Sequence, residues 1–215
     1  MTEKKRGEAS VSLIKRLLSL AVCLFVILGL AGCGSTGRSA SNSKKKTGVA
    51  NEVSSPGTKG KTLVVYFSAT GTTKKVARII ADTEKADIYE IIPEKSYTAQ
   101  DLDYGNKQNR ATREQGDKNV RPRIQGKKIN LEKYDTVYLG YPIWWYEEPR
   151  IIDTFVEQYD FTGKTVIPFC TSNSAGIAKS RNNLKQLAKG GNWLEGRRFS
   201  KRASDQEIRA WVKEI

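Results

Sequence analysis

Three short runs, TLVVYF at 62–67, DTVYLG at 135–140 and TVIPFC at 165–170, set their apolar residues side by side instead of at every second position. A strand with one wet face alternates with period two, so a run that is apolar on both parities is a strand covered on both faces. Segments of helical spacing separate these runs: Val76, Ile79 and Ile80 within 73–83, then Ile151, Ile152, Phe155 and Val156 within 149–159. A further strand is predicted over 87–92 (DIYEII), a helix over about 175–188 and a fifth strand over 193–199. The capping box Ser204-Asp205-Gln206-Glu207 opens a last helix that runs through Trp211. Strands alternating with helices imply right-handed crossovers and a parallel sheet sandwiched between helices. Residues 93–130 are too long for a plain loop, and the expectation there is irregular structure around a helix near 101–114.

The front of the chain is built differently. Lys4, Lys5, Arg6, Lys15 and Arg16 precede an almost pure apolar run over 17–30, which closes on Leu30-Ala31-Gly32-Cys33. That order reads as a secretory signal over 1–32, and the run is shorter than the roughly 20 apolar residues of a spanning helix. Leu-Ala-Gly-Cys resembles the lipobox of bacterial lipoproteins, which implies that Cys33 is lipidated and becomes the mature N-terminus. The plainer alternative is a signal cleaved after a small residue. Residues 33–60 are mostly Ser, Lys, Gly, Thr and Asn, too polar to offset their ordering entropy, so they form a tether. As a random coil it would hold the domain at its far end roughly 30 Å from the membrane. The expected location is the extracytoplasmic face of a bacterial membrane. Gly57-Thr58-Lys59-Gly60-Lys61-Thr62 imitates a phosphate-binding P-loop, but position 55 is Ser55 where the first glycine belongs, and a strand follows the segment instead of preceding it.

Residues 61–215 are the length of one domain with a sizeable core. Of the three cysteines, Cys23 lies in the signal and Cys33 in the lipobox. Cys170 is left unpaired at the end of a buried strand, where packing is the expected role. The chain has no histidine, which excludes Ser-His and Cys-His catalysis and every His-ligated metal site. The domain carries 27 Lys and Arg against 20 Asp and Glu. That charge is dispersed and not interleaved with aromatic residues, so nucleic acid is not an expected partner.

Ligands of open α/β sheets bind beyond the carboxyl ends of the strands, where strand order reverses. Three strand ends carry chemistry. The first is Ser68-Ala69-Thr70-Gly71-Thr72-Thr73. There a phosphate would meet loop amides, the positive end of the following helix, and the hydroxyls of Ser68, Thr70, Thr72 or Thr73, with Gly71 letting the backbone curl inward. An ordinary strand-to-helix turn is the alternative. The second end, Gly140-Tyr141-Pro142-Ile143-Trp144-Trp145-Tyr146, suits the wall of a flat conjugated ligand, a core, or a protein-contact patch. The third, Cys170-Thr171-Ser172-Asn173-Ser174-Ala175-Gly176, suits the polar edge of such a ligand or a helix cap.

Taken together, YFS-x-TG-x-T after the first strand and GYPIWW after the third resemble the bacterial flavodoxin-like FMN-binding family, over essentially all of 61–215. The resemblance implies an α/β doubly wound five-stranded sheet of order 2-1-3-4-5, with FMN at its switch point. By position, Ser68, Thr70, Gly71, Thr72 and Thr73 would hold the 5′-phosphate. Pro142, Ile143, Trp144 and Trp145 would line the isoalloxazine, and Thr171, Ser172, Asn173 and Gly176 would border its pyrimidine edge. Relatives with GYPIWW commonly continue with glycine where this chain has Tyr146, a ring large enough to narrow or occlude the site. Electron-carrier flavodoxins are acidic and stack a tyrosine from the fourth-strand loop. This domain is basic and that loop has no aromatic residue, so an open flavin face is expected, which suits exchange with a small molecule better than shuttling between protein partners. The redox partner could be either a small molecule or a protein.

The leading expectation is therefore a membrane-tethered FMN oxidoreductase or electron-transfer protein, in which the flavin carries the redox chemistry and no side chain acts as acid or base. Lys74, Lys75 and Arg78 on the first helix would either raise the potential near a phosphate or form a solvated face. The alternative is a non-catalytic surface lipoprotein that uses the same fold as a binding module, with Trp144, Trp145 and Tyr146 as its contact patch.

Overall fold

The computed structural model describes residues 60–215. The signal expected over 1–32, the expected lipidation site Cys33 and the expected tether up to 59 lie outside the described residues. Among the described residues, no helix is long and apolar enough to cross a membrane.

Strand β1, Thr62–Tyr66, is buried at every position. It pairs in parallel with β2, Asp87–Glu90, on one side and with β3, Thr136–Pro142, on the other. Strand β4, Thr165–Thr171, extends the sheet beyond β3. The unbroken apolar runs now have their explanation, because alternate residues feed two separate cores. Leu63, Val65, Phe67, Val137, Leu139 and Tyr141 join Ile151, Phe155 and Leu184 on one face. Val64, Tyr66, Tyr138, Ile167 and Phe169 join Val76, Ile80, Ile208 and Trp211 on the other. Helices α1 (Thr72–Glu84) and α5 (Asp205–Glu214) cover this second face. Helices α2 (Arg110–Gly116), α3 (Arg150–Glu157) and α4 (Ala178–Leu187) supply the first. The strand order is 2-1-3-4-5, the doubly wound topology expected from the sequence.

The fifth position differs in detail. It holds two short parallel strands, β5 (Asn192–Trp193) and β6 (Arg197–Phe199), both paired with β4. Leu194 N–H donates to Val166 O at 2.9 Å, so the backbone groups of Val166, and of the residue two further along, face this edge. That residue is Pro168, which has no N–H to donate. The edge strand leaves the ladder there, through Gly196 at φ +71, where an added Cβ would lie 2.1 Å from Pro168 O.

Residues 93–130 also depart from expectation. The helix predicted near 101–114 is a single 3₁₀ turn at Gln100–Leu102 followed by α2. Asn109 sets the start of α2 by accepting from Thr112 N–H at 2.7 Å. Cys170 is free and fully buried, and that burial pushes its thiol up to about 12, in keeping with a packing role.

Candidate functional site

Gly140 fixes how the strand ends meet. A Cβ on it would sit 2.1 Å from the Phe169 ring, so only glycine lets β4 lay that ring across β3. Beyond this crossing, the ends of β1, β3 and β4 surround a cavity of about 240 Å³. Eight of the sequence-derived site residues line it: Thr70 and Thr72 from the first loop, Pro142, Ile143 and Trp144 from the second, and Thr171, Ser172 and Asn173 from the third.

The remaining five stand around that wall. Ser68 Oγ accepts from Gly71 N–H at 3.1 Å and lines a smaller neighbouring cavity with Phe67, Glu90 and Tyr97. Gly71 takes φ +88, a left-handed conformation that suits glycine, and a Cβ there would meet nothing within 4 Å. Thr73 is buried, and its hydroxyl bonds that of Thr171 at 2.8 Å, joining the first loop to the third. Trp145 is not part of the cavity wall but packs on Tyr104, which is, with ring centroids 4.6 Å apart. Gly176 is exposed with open space around it.

The first loop is prepared for an anion. The first backbone bond of α1 runs from Lys75 N–H to Gly71 O, so the amides of Thr72, Thr73 and Lys74 have no partner within the helix, and no side chain caps them. They open beside the hydroxyls of Thr70 and Thr72 at the positive end of the helix dipole. The lysines of α1 are already engaged: Lys74 meets Glu90 at 2.7 Å and Lys75 meets Asp205 at 3.2 Å. Burial and the Glu90 carboxylate together push the Tyr66 hydroxyl well above its ordinary range, so it stays a donor to Glu90.

On the second loop, Trp144 is 5% exposed and stands edge-on to Phe67 and Tyr97, with centroids at 5.7 and 5.0 Å. Its indole is therefore core on one side and cavity wall on the other. Tyr97 is clamped in turn by Arg110, whose guanidinium lies 4.1 Å from the ring centroid, and by Glu114, which accepts from its hydroxyl.

The flavodoxin family model matches residues 61–215, nearly three quarters of the chain. The chain belongs to the flavodoxin family. A protein from Bacteroides eggerthii assigned as a flavoprotein is 46% identical, with a TM-score of 0.67 over 72% of this chain and 97% of its own. A second, from Bacteroides uniformis, is 47% identical, with a TM-score of 0.68 over 72% and 98%. A Lactobacillus acidophilus flavoprotein solved in complex with FMN is 26% identical, with a TM-score of 0.54 over 71% and 98%. None of the curated proteins compared with the sequence matches it.

Within this flavodoxin, Tyr146 does not occlude the cavity: it is 71% exposed and absent from the cavity wall. Trp144 and Glu147 exchange both backbone bonds, at 2.9 and 3.0 Å, around a two-residue turn in which Trp145 and Tyr146 have φ of 48° and 68°. This is a type I′ turn, whose second position favours glycine. Replacing Tyr146 with glycine relieves left-handed strain and should raise stability by roughly 0.5–1 kcal/mol. Thermal unfolding should shift up by about 2 °C, with the ligand affinity of the cavity unchanged; a lower Tm would mean that the ring contributes packing that outweighs its strain.

Three cavity residues had no clear signal in the sequence: Leu102, Tyr104 and Lys201. The first two lie in the irregular stretch before α2, and Lys201 lies in the basic run GRRFSKR over 196–202. A buried ionic cluster backs the second loop. Arg150 bonds Asp153 at 3.0 Å and also bonds Glu147, while Gln115 donates to Trp144 O and Glu148 O at 3.0 and 3.2 Å. Glu148 is fully buried, and neither carboxylate oxygen has a hydrogen-bond partner. Burial, reinforced by the neighbouring Asp153, pushes its carboxyl up to about 8.

Proposed function

We propose that this flavodoxin binds FMN at the ends of β1, β3 and β4 and acts as a redox protein, an oxidoreductase or electron carrier, tethered by lipidated Cys33 to the outer face of a bacterial membrane. The observation that carries the reading is the uncapped amide end of α1, lined by threonine hydroxyls and opening into the same cavity as the Trp144 indole. The amides of α1 and the hydroxyls of Thr70 and Thr72 would hold the phosphate without a proton transfer. Pro142, Ile143 and Trp144 offer the apolar wall for the ring system, and Thr171, Ser172 and Asn173 offer polar groups to its edge. When bound, the flavin supplies reversible electron acceptance, so a chain without histidine still has a full reaction available. The third loop offers no aromatic ring, and that suits exchange with a small molecule at an open face.

Support for FMN comes from the family match and from the Lactobacillus relative solved with it. Anaerobic reduction of the FMN-loaded chain should bleach its visible absorption, and a small-molecule acceptor should restore it. The Cys33→Ser variant should leave the membrane fraction with its flavin redox behaviour intact. A chain whose visible absorption survives reduction, or a Cys33→Ser variant that stays membrane-bound, defeats the corresponding half of the reading.

A further inference from the structure

We propose that Lys201 is the cation that meets the flavin phosphate, and that it makes the site select a phosphorylated flavin over the same flavin without phosphate. This rests on FMN as the ligand of the cavity and adds a residue outside the loops that suggested it.

The first loop brings only neutral groups to the cavity: the hydroxyls of Thr70 and Thr72 and the backbone amides of α1. A phosphate monoester carries close to two negative charges at neutral pH, so a nearby cation adds substantially to its binding. The lysines nearest in sequence are committed elsewhere, Lys74 to Glu90 at 2.7 Å, and Lys75 to Asp205 at 3.2 Å and to Ala203 O at 3.4 Å. Lys201 is the charged residue on the cavity wall, and among the described residues no carboxylate lies within ion-pair reach of it.

Its position comes from the edge strand. After β6, Ala203 N–H returns to Ser200 O at 3.1 Å, which puts Lys201 at the tip of a tight turn. One side of that turn is anchored to the third loop, because Ser172 N–H donates to Phe199 O at 3.1 Å. The other side is anchored to α1 through Lys75 and Ala203 O. The ammonium thus rides on a turn fixed between the uncapped amides and the third loop, and its flexible four-carbon stem reaches the phosphate as a point charge.

The two arginines that precede Lys201 in the basic run are already engaged. Arg198 donates to Ser172 O and Asn173 O at 3.2 and 3.3 Å, holding the third loop, and Arg197 faces Glu207 at 3.6 Å.

The test is a titration of the purified full chain and of Lys201→Gln with FMN and with riboflavin, at low and at high salt. Riboflavin has the same ring system and ribityl chain without the phosphate. Lys201→Gln is expected to weaken FMN binding about fivefold while riboflavin binding stays within about twofold. The salt dependence of FMN binding should flatten in the variant, because the exposed charge is screened, and Lys201→Arg should recover most of the FMN affinity. Unchanged FMN affinity in Lys201→Gln overturns the proposal, as does an equal loss for both flavins, which would place the ammonium at the ring or make it a support of the fold. A wild-type chain that binds neither flavin fails the FMN reading itself, a result distinct from either of those.

Discussion

At about pH 8 the Glu148→Gln variant is expected to be more stable than the parent chain by about 3 kcal/mol, and at about pH 5 the two should agree within about 1 kcal/mol. Glu148 sits in the cluster behind the second loop with no exposed surface and no hydrogen-bond partner for either oxygen. The nearest guanidinium nitrogen, Arg150 Nη1, is 3.7 Å away and already donates to Asp153, while Nη2 donates to Glu147. Burial therefore dominates and holds the proton on Glu148 up to about 8, where it can face the unpartnered Oδ1 of Asp153. In the unfolded chain the carboxyl ionises near 4.5, so between these two values the folded state binds more protons than the unfolded one. Stability from this group is complete below about 4.5 and is lost as pH rises through about 8. Glutamine keeps the shape and a donor but cannot ionise, which removes the slope. Denaturant unfolding across that range measures the difference directly, with the Asp153 carboxyl beside Glu148 as the one group whose titration changes along with it. Parallel stability curves for the two proteins would show that Glu148 is ionised in the fold and compensated by neighbours.

A second large effect is expected at the mouth of the phosphate loop. Gly71→Asp should weaken FMN binding about 100-fold, whereas Gly71→Asn should weaken it by no more than about tenfold, with both variants folding at nearly the parent temperature. Gly71 has φ +88 and free space where a side chain would project, and Asn and Asp tolerate the left-handed region better than other residues. Neither variant should therefore cost much stability, and an aspartate at a helix N-terminus is favourable in the absence of ligand. What separates the two is one negative charge placed against a phosphate. Flavin fluorescence titration reads the affinities and thermal unfolding reads the stabilities. Equal affinities for the Asp and Asn variants would mean that the anion does not sit at the end of α1.

The parts of this fold that could be read from sequence are those in which one residue type serves one role. The strands β1, β3 and β4 feed two cores, and that requirement leaves consecutive apolar residues such as Val64 and Val65, one for each face. The loops at their ends announced the cavity because small hydroxyl residues and aromatic rings are rare at buried strand ends without a ligand or core to meet. Legibility fails where tertiary contacts decide. Residues 101–109 do not continue as helix because Asn109 caps α2, and Tyr97, Arg110 and Glu114 tie that helix back toward the second loop. The break in the edge strand is visible in sequence only as Pro168, whose missing donor matters once it is known which neighbour it faces. Tyr146 suggested an occluded site because its left-handed backbone, which turns the ring outward, has no signature in residue identity. Lys201 was lost in a basic run for the same reason: a cation's partner is set by the turn that carries it.

The most direct measurement is a titration of ligand-free chain with FMN, monitored by flavin absorption and indole fluorescence together. Saturable binding of one FMN per chain is expected, with a structured flavin band and quenching of the Trp144 emission as the cavity fills. Absence of saturable binding, with the indole emission unchanged at excess FMN, would contradict a flavin seated where β1, β3 and β4 end.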